Sequence, residues 1–171
     1  EIASDRNLDE LRLPVQWVIR PQSPEHHDYR GYAGRLASGL LSPGDEVVVL
    51  PSGHRTRVAA VDGADGELEQ AFPPMSVTVR LEDELDVSRG DLIADPASAP
   101  EPVRELTADV CWMSDAPLAP RGRYALKHTT RTVRAIVDEV DTRVDVHTLE
   151  DDPAESLELN DIGRVRLRLG A

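Results

Sequence analysis

The feature of the sequence that most constrains its fold is a glycine-punctuated stretch between residues 30 and 50. Its first half is interrupted by Gly31, Gly34 and Gly39. These glycines predict a bent, bulged strand that another backbone approaches closely. The segment Ser42–Asp45 (Ser-Pro-Gly-Asp) predicts a type II turn, because proline fixes φ at its second position and Gly44 supplies a positive φ at its third. The β-branched run 46–50 then predicts a returning strand, and the whole stretch favours a small β-barrel.

Strand signals continue along the rest of the chain. Residues 11–20 alternate, which predicts a half-buried strand, with Pro14 at an edge or a bulge. The predicted inward face of this strand consists of Leu11, Leu13, Val15, Trp17 and Ile19. Residues 67–72 predict a short strand, and residues 151–156 an acidic loop. No window carries a 3.6-residue apolar repeat over three turns, so the sequence predicts an all-β fold.

The second half of the chain carries two alternating segments with opposite faces of different character. Leu106, Ala108, Val110 and Trp112 share one predicted face, and Cys111 falls on the other. At residues 164–169, arginines alternate with Val165, Leu167 and Leu169, which predicts an inward apolar face. The outward arginine row indicates either a solvated strand face or a contact surface within a larger protein.

Proline content divides the chain into two domains. Residues 95–102 contain three prolines and no periodicity, which favours a stiff, extended linker. We therefore predict a linker remnant at residues 1–10, a β-barrel at 11–95, a linker at 96–102 and a second β-barrel at 103–171. The predicted architecture is two consecutive small antiparallel β-barrels.

Charge and cysteine content limit the function classes. The chain of 171 residues has a formal net charge of −13, which disfavours binding to nucleic-acid phosphates. One cysteine excludes an intrachain disulfide and is consistent with a cytoplasmic protein. No apolar run approaches membrane-spanning length, so no membrane partner is expected. Glu1 in place of a start methionine indicates a fragment of a longer protein.

The sequence lacks recognisable catalytic motifs. Lys127 is the only lysine and follows Leu126, where the motif requires a glycine, so a phosphate-binding Gly-x-x-x-x-Gly-Lys loop is absent. Adjacent His26 and His27 are poorly spaced for chelation and favour a solvated loop over a metal site. The acidic segment 82–86 lacks calcium-loop spacing and indicates a solvated loop or a docking patch for a basic partner. We therefore predict no catalytic residue, metal or cofactor in this chain. It should instead act as a unit that binds other protein parts and relays changes between them.

Several motifs resemble a known family. The glycine-interrupted strand, its Gly-Asp turn and the later Ser88–Ala94 segment (Ser-Arg-Gly-Asp-Leu-Ile-Ala) resemble domain II of translation-factor GTPases of the elongation factor Tu type. Pro14–Pro21, Asp28–Gly34 and Leu36–Gly39 resemble more specifically the large, GTP-binding subunit of bacterial sulfate adenylyltransferase. This resemblance covers residues 11–169 and implies that the two barrels are of the domain II and domain III type.

The resemblance also implies a function. The region would be the non-catalytic part of a GTPase subunit that couples GTP hydrolysis to the formation of adenosine 5′-phosphosulfate from ATP and sulfate. Its implied partners are the small catalytic subunit, its own N-terminal GTPase domain with GTP and Mg²⁺, and a fused adenylylsulfate kinase domain in some bacteria. The enzyme would be a nucleotidyltransferase, whereas this fragment alone would be inactive.

Two alternatives remain open at the level of sequence. A translation elongation factor fragment would bind aminoacyl-tRNA, although the acidic charge disfavours phosphate contacts. A β-barrel adaptor unrelated to any GTPase also fits the strand pattern alone.

The candidate site residues lie beside the predicted turns. Conformational roles are predicted for Gly31, Gly34, Gly39, Gly44 and Gly90. Interdomain or partner contacts are predicted for Arg20, Arg30, Tyr32 and Arg89, for which ordinary barrel-surface positions are the alternative.

Overall fold

The computed structural model describes residues 7–21 and 29–170. Twelve strands and no helix are assigned within these ranges. The chain forms two compact units, one reaching Pro102 and including Thr129–Arg131, and the other comprising Val103–His128 and the residues from Thr132 onward. The predictions for residues 1–6, His26 and His27 lie outside the described residues.

The first unit is a closed, antiparallel six-stranded barrel with one short extra strand. Its strands are β1 (Arg12–Ile19), β2 (Gly31–Arg35), β3 (Glu46–Leu50), β4 (His54–Gly63), β5 (Gly66–Glu67), β6 (Ser76–Leu81) and β7 (Leu92–Ala94). The sheet order is β3-β7-β1-β2-β6-β4-β5, and an additional pairing of β3 with β4 closes the ring. This closure leaves the six barrel strands paired on both sides, which protects their edges from other chains.

The barrel interior is filled by aliphatic side chains and one tyrosine. Alternation along the strands supplies them, because successive side chains of a strand point to opposite faces. The largest fully buried side chains here are Tyr32, Leu13, Leu36, Leu41, Ile93, Val15, Val47, Val49, Val58, Val61 and Val79. The inward predictions for Leu11, Leu13 and Val15 are confirmed, since each is at most 4% exposed.

The prediction that Trp17 faces inward is wrong. Val15 pairs with Gly34 whereas Trp17 pairs with Ala33, so the register shifts between these two positions of β1. A bulge adds one residue to the strand and reverses the faces that follow it. Trp17 is consequently 67% exposed. The bulge lies two residues after Pro14, which pairs with Leu92 of the short strand β7.

The second unit is a five-stranded antiparallel sheet with its own core. Its strands are β8 (Glu105–Cys111), β9 (Arg123–His128), β10 (Arg131–Val144), β11 (Asp151–Pro153) and β12 (Ile162–Leu169). The order is β11-β10-β12-β8, with β9 on β10. The buried cluster consists of Leu118, Val137, Val140, Leu157, Val165 and Leu167.

Sequence predictions for the second unit mostly hold. Leu106, Ala108, Val110 and Trp112 pack against its core, and Cys111 is exposed on the other face. The residues predicted as an acidic loop begin instead with β11, because Asp151–Pro153 pair with the end of β10.

In the first unit, the strand predicted at residues 67–72 is shorter in the structure. It is reduced to β5 and a single bridge between Ala71 and Leu41.

Three tight turns share one construction in which an aspartate closes the turn. The backbone N–H of Asp45 donates to the Ser42 carbonyl at 3.2 Å, and the Asp45 carboxylate accepts the Ser42 N–H at 2.7 Å. Asp91 forms the same two bonds with Ser88, and Asp161 forms them with Glu158. Each turn thereby pairs two of its own backbone N–H groups, and the N–H groups of Gly44 and Gly90 donate to the Val58 and Val15 carbonyls of neighbouring strands.

Candidate partner-contact surface

Three of the four predicted contact residues gather near the loop that follows β6. Tyr32 of β2 is 1% exposed, and its hydroxyl donates to the Leu85 carbonyl at 3.0 Å. Arg30 donates to the same carbonyl at 3.2 Å. Burial raises the pKa of Tyr32, and the charges of Arg30 and of Arg20, which is exposed just after β1, partly oppose this rise. The structure thus gives Tyr32 a place in the barrel core rather than on an accessible surface.

The acidic loop that receives these bonds is itself anchored. The Thr56 hydroxyl donates to the Asp83 carboxylate at 2.7 Å, and the Glu82 N–H donates to the Arg57 carbonyl at 2.9 Å. Glu82, Glu84 and Asp86 are exposed. The loop therefore presents carboxylates on a fixed backbone, and docking of a basic partner there stays a prediction.

Arg89 lies elsewhere on the barrel, beside the exposed tryptophan. Its guanidinium donates to the Gln16 carbonyl at 2.8 Å, next to Trp17 in the bulged part of β1. No bond in the described part of the chain joins Arg89 to the group around Leu85. Trp17 is a contact candidate that strand alternation missed, because alternation places it inside the barrel. An exposed tryptophan next to an arginine is a composition that protein interfaces favour.

A second polar cluster near β2 was not predicted from sequence. The Tyr29 hydroxyl donates to Asp62 at 3.1 Å, and Arg80 forms an ion pair with Asp62 at 3.2 Å and another with Glu67. Burial and the hydrogen bond to the Asp62 carboxylate together raise the pKa of Tyr29. The Tyr29 ring lies 2.9 Å from where a Cβ on Gly31 would be, so this glycine allows the ring to cover β2.

The five predicted glycines occupy turns and close approaches. Positive φ angles occur at Gly39, Gly44 and Gly90. A Cβ on Gly34 would overlap the Pro14 carbonyl oxygen of the paired strand β1. Gly39 combines a φ of +77° with direct approach to the Leu11 backbone, so glycine alone fits there.

The outward arginines of β12 are bound by carboxylates of neighbouring strands. Arg164 donates to Asp109 of β8 at 2.7 Å and holds the pKa of that carboxyl below its usual value. Arg166 and Arg168 lie within 3.3 Å of carboxylates on β10. These exposed pairs form a ladder across the sheet, as expected for a solvated strand face.

Among the described residues, no group of three or more His, Cys, Asp or Glu side chains could hold a metal ion. No helix in the part of the chain that the structure covers is long and apolar enough to cross a membrane. The geometry consists instead of anchored loops and exposed contact candidates on rigid sheets.

These features define an architectural class of protein, in which a closed β-barrel is followed in the chain by a second β-domain. Residues 105–171 match the sequence model of a family described as GTP-eEF1A C-terminal domain-like. The structure of Sup35 complexed with GMPPNP superposes with a TM-score of 0.80 at 12% identity, covering 98% of this chain and 41% of that one. Sup35 complexed with GDP gives a TM-score of 0.81. At this identity the likeness establishes the fold, and it confirms the predicted all-β, translation-factor-type architecture.

Sequence relatives identify the particular homologues. The chain is 54% identical over 169 residues to the bifunctional enzyme CysN/CysC of Mycobacterium tuberculosis, covering 98% of this chain and 28% of that protein. It is 42% identical over 168 residues to sulfate adenylyltransferase subunit 1 of Alteromonas mediterranea, covering 98% of this chain and 35% of that subunit. The chain is thus a homologue of one segment of these proteins and spans about a third of their length or less. The predicted resemblance to the large subunit of sulfate adenylyltransferase is confirmed.

Proposed function

We propose that this chain is the non-catalytic β-region of the GTPase subunit of sulfate adenylyltransferase. In this proposal it docks the small catalytic subunit and couples GTP hydrolysis to the formation of adenosine 5′-phosphosulfate. The observation that carries the proposal is 42–54% identity over nearly the whole chain to CysN/CysC and to sulfate adenylyltransferase subunit 1. The full protein would work in the cytoplasm with GTP and Mg²⁺ bound by a separate GTPase domain.

The structure supports a coupling role for physical reasons. A closed barrel with a dense aliphatic core moves as a rigid body, because packed interiors resist continuous deformation. Rigid units can pass a nucleotide-dependent rearrangement from one site to another without chemistry of their own. The relatives named CysN/CysC make a fused adenylylsulfate kinase domain an additional intramolecular partner in this proposal.

The experiment is an assay of the full-length parent protein together with its small subunit. We measure adenosine 5′-phosphosulfate synthesis with and without GTP, and GTP hydrolysis in parallel. Deleting the region that corresponds to this chain should abolish the GTP stimulation of synthesis. Synthesis that responds to GTP equally well without the region would contradict the proposal. The isolated chain is the control, and it should hydrolyse no GTP.

A further inference from the structure

The second domain exposes large apolar side chains at one end of its sheet. Their exposed fractions are Met113 78%, Val146 62%, Leu149 79%, Leu159 46% and Ile162 41%. We call this set the apolar end. It contains half of the large hydrophobic residues that are exposed in the described part of the chain. A single exposed leucine needs no explanation, whereas several on one end of one domain indicate a contact site.

Strand pairing places these residues at the same end of the sheet. Strands β10, β12 and β8 are neighbours in the sheet, and Ile162 at the start of β12 pairs with Cys111 at the end of β8. The N–H of Asn160 donates to the Trp112 carbonyl at 2.7 Å, so the segments that carry Leu159 and Met113 are joined at this end. Arg143 near the end of β10 pairs with Gly163, so the loop that follows β10 lies at the same end.

That loop, residues 145–150, is held rigidly by its own hydrogen bonds. The N–H of Asp145 donates to the Glu150 carbonyl at 2.9 Å, and the N–H of Leu149 donates to the Asp145 carbonyl at 2.7 Å. The Asp145 carboxylate accepts the N–H groups of His147 at 2.7 Å and Thr148 at 3.2 Å. Val146 and Leu149 are therefore presented to solvent on a pre-organised backbone, which lowers the entropic cost of binding.

Leu149 has a backbone conformation that does not suit a leucine. Its φ is +61°, in the left-handed region that favours glycine or asparagine. Because the side chain is 79% exposed, it contributes little to the domain core. A large apolar side chain at such a position opposes folding of the loop and gains no burial within the domain. A partner that buries this side chain accounts for its presence.

The surroundings of the apolar end indicate the charge of that partner. Seven carboxylates lie in the segments that build it: Asp115, Asp145, Glu150, Asp151, Asp152, Glu158 and Asp161. The arginines of the same segments are already paired, Arg143 with Asp161 and Arg164 with Asp109. A second copy of this chain would bring an equally acidic rim to the contact, and nucleic acid or an anionic surface would be repelled.

We propose that the apolar end of the second domain is the docking surface for a protein partner that presents an apolar anchor ringed by lysine and arginine. Leu149 and Val146 insert into this partner, and the carboxylates around them set its orientation and its rate of association. The partner used in the test is the small catalytic subunit of sulfate adenylyltransferase, a choice that rests on the proposed function.

The test measures binding of the small subunit to the full-length parent protein by calorimetric titration. Leu149→Gly removes the side chain and relieves the left-handed backbone, so the thermal midpoint should stay or rise while affinity falls by about tenfold or more. Arg121→Gly is the matched control, because Arg121 is also exposed and has a φ of +69°. Its N–H donates to the carbonyl of Val137 halfway along β10, away from the apolar end. This control should keep the affinity of the wild type.

The outcomes separate the two proposals. If the wild type binds and Leu149→Gly binds as tightly, the docking surface is overturned while the proposed function stands. If the wild type does not bind the small subunit, both are overturned. If the wild type alone forms a dimer that Leu149→Gly dissolves, the occupant is a second copy and the inference is wrong.

Salt dependence tests the basic ring of the partner. Added salt should weaken the affinity for the small subunit, and it should do so less steeply in a Glu150→Gln, Asp152→Asn double variant. Affinity indifferent to salt contradicts it.

Discussion

At the scale of single residues, glycines in this barrel serve two distinct purposes. Gly34 leaves room for a neighbouring backbone, whereas Gly44 supplies a positive φ of +89° with no atom near the place of its absent Cβ. The first requirement comes from packing between strands β1 and β2, and the second comes from local turn geometry. The Ser-Pro-Gly-Asp order specifies the turn at Gly44, whereas the glycine interruptions of β2 predict a close backbone approach without identifying Pro14 as the neighbour.

This distinction predicts different costs for two identical substitutions. Gly44→Ala should destabilise the domain by about 1–2 kcal/mol, the cost of placing an L-residue in the left-handed region. Gly34→Ala should cost about 3 kcal/mol or more, because the new methyl group meets the Pro14 carbonyl and the strands must separate. Denaturant unfolding of both variants measures the difference. Equal costs would show that the strands can move apart without penalty.

The carboxylate of Asp145 predicts a pH response in the loop that follows β10. The N–H groups of His147 and Thr148 donate to it and hold its pKa below the usual value. The stabilisation is therefore present above the unfolded pKa of about 3.9 and is lost as the pH falls through the lower folded value. Amide chemical shifts of His147 and Thr148 should titrate with a midpoint below that of an unstructured aspartate. The step should vanish in Asp145→Asn, and a midpoint at or above 3.9 would contradict the arrangement.

At the scale of elements, strand β1 shows how far alternation can be trusted. The pattern places Leu11, Leu13 and Val15 correctly, because they precede the bulge. It misplaces Trp17, because one inserted residue reverses every later face and leaves no mark in the hydrophobic pattern. Strand β12 has no such interruption at Val165 and Leu167, and there the predicted faces hold.

Paired substitutions in β1 test the position of the bulge. Val15 is 0% exposed, so Val15→Ala should cost about 2 kcal/mol through lost burial and the cavity it leaves. Trp17→Ala should cost less than about 1 kcal/mol although it removes far more atoms, because the ring is 67% exposed. Thermal and denaturant unfolding give both values. A larger loss for Trp17→Ala would place the ring inside the barrel and contradict the bulge.

The candidate site was less predictable than the strands, for reasons that are also physical. Tyr32 lies next to a turn in the sequence, yet its hydroxyl finds the Leu85 carbonyl, which is 53 residues away. Such a bond depends on the closed barrel and has no local signature. The loop at residues 145–150 did carry a signal, since an aspartate followed by histidine and threonine can accept their N–H groups. Its exposure emerged only with the pairing of β10, β11 and β12.

At the scale of the whole molecule, the chain contains two compact β-domains, each with its own hydrophobic core. The barrel closes its own edges, and the second domain offers an apolar end with an acidic rim. The homologous segments in CysN/CysC and in sulfate adenylyltransferase subunit 1 make up only 28% and 35% of those proteins. Both observations support the role that we propose, which is to bind other parts of an enzyme.

The most direct test of that role is a titration of this chain against the small catalytic subunit of sulfate adenylyltransferase from the same genome. A short RNA serves as the control, and circular dichroism first verifies the β-fold of the chain. We expect saturable binding to the small subunit and no binding to RNA, because the net charge of −13 disfavours contacts with phosphates. Binding to RNA without binding to the small subunit would contradict it and favour a translation-factor function.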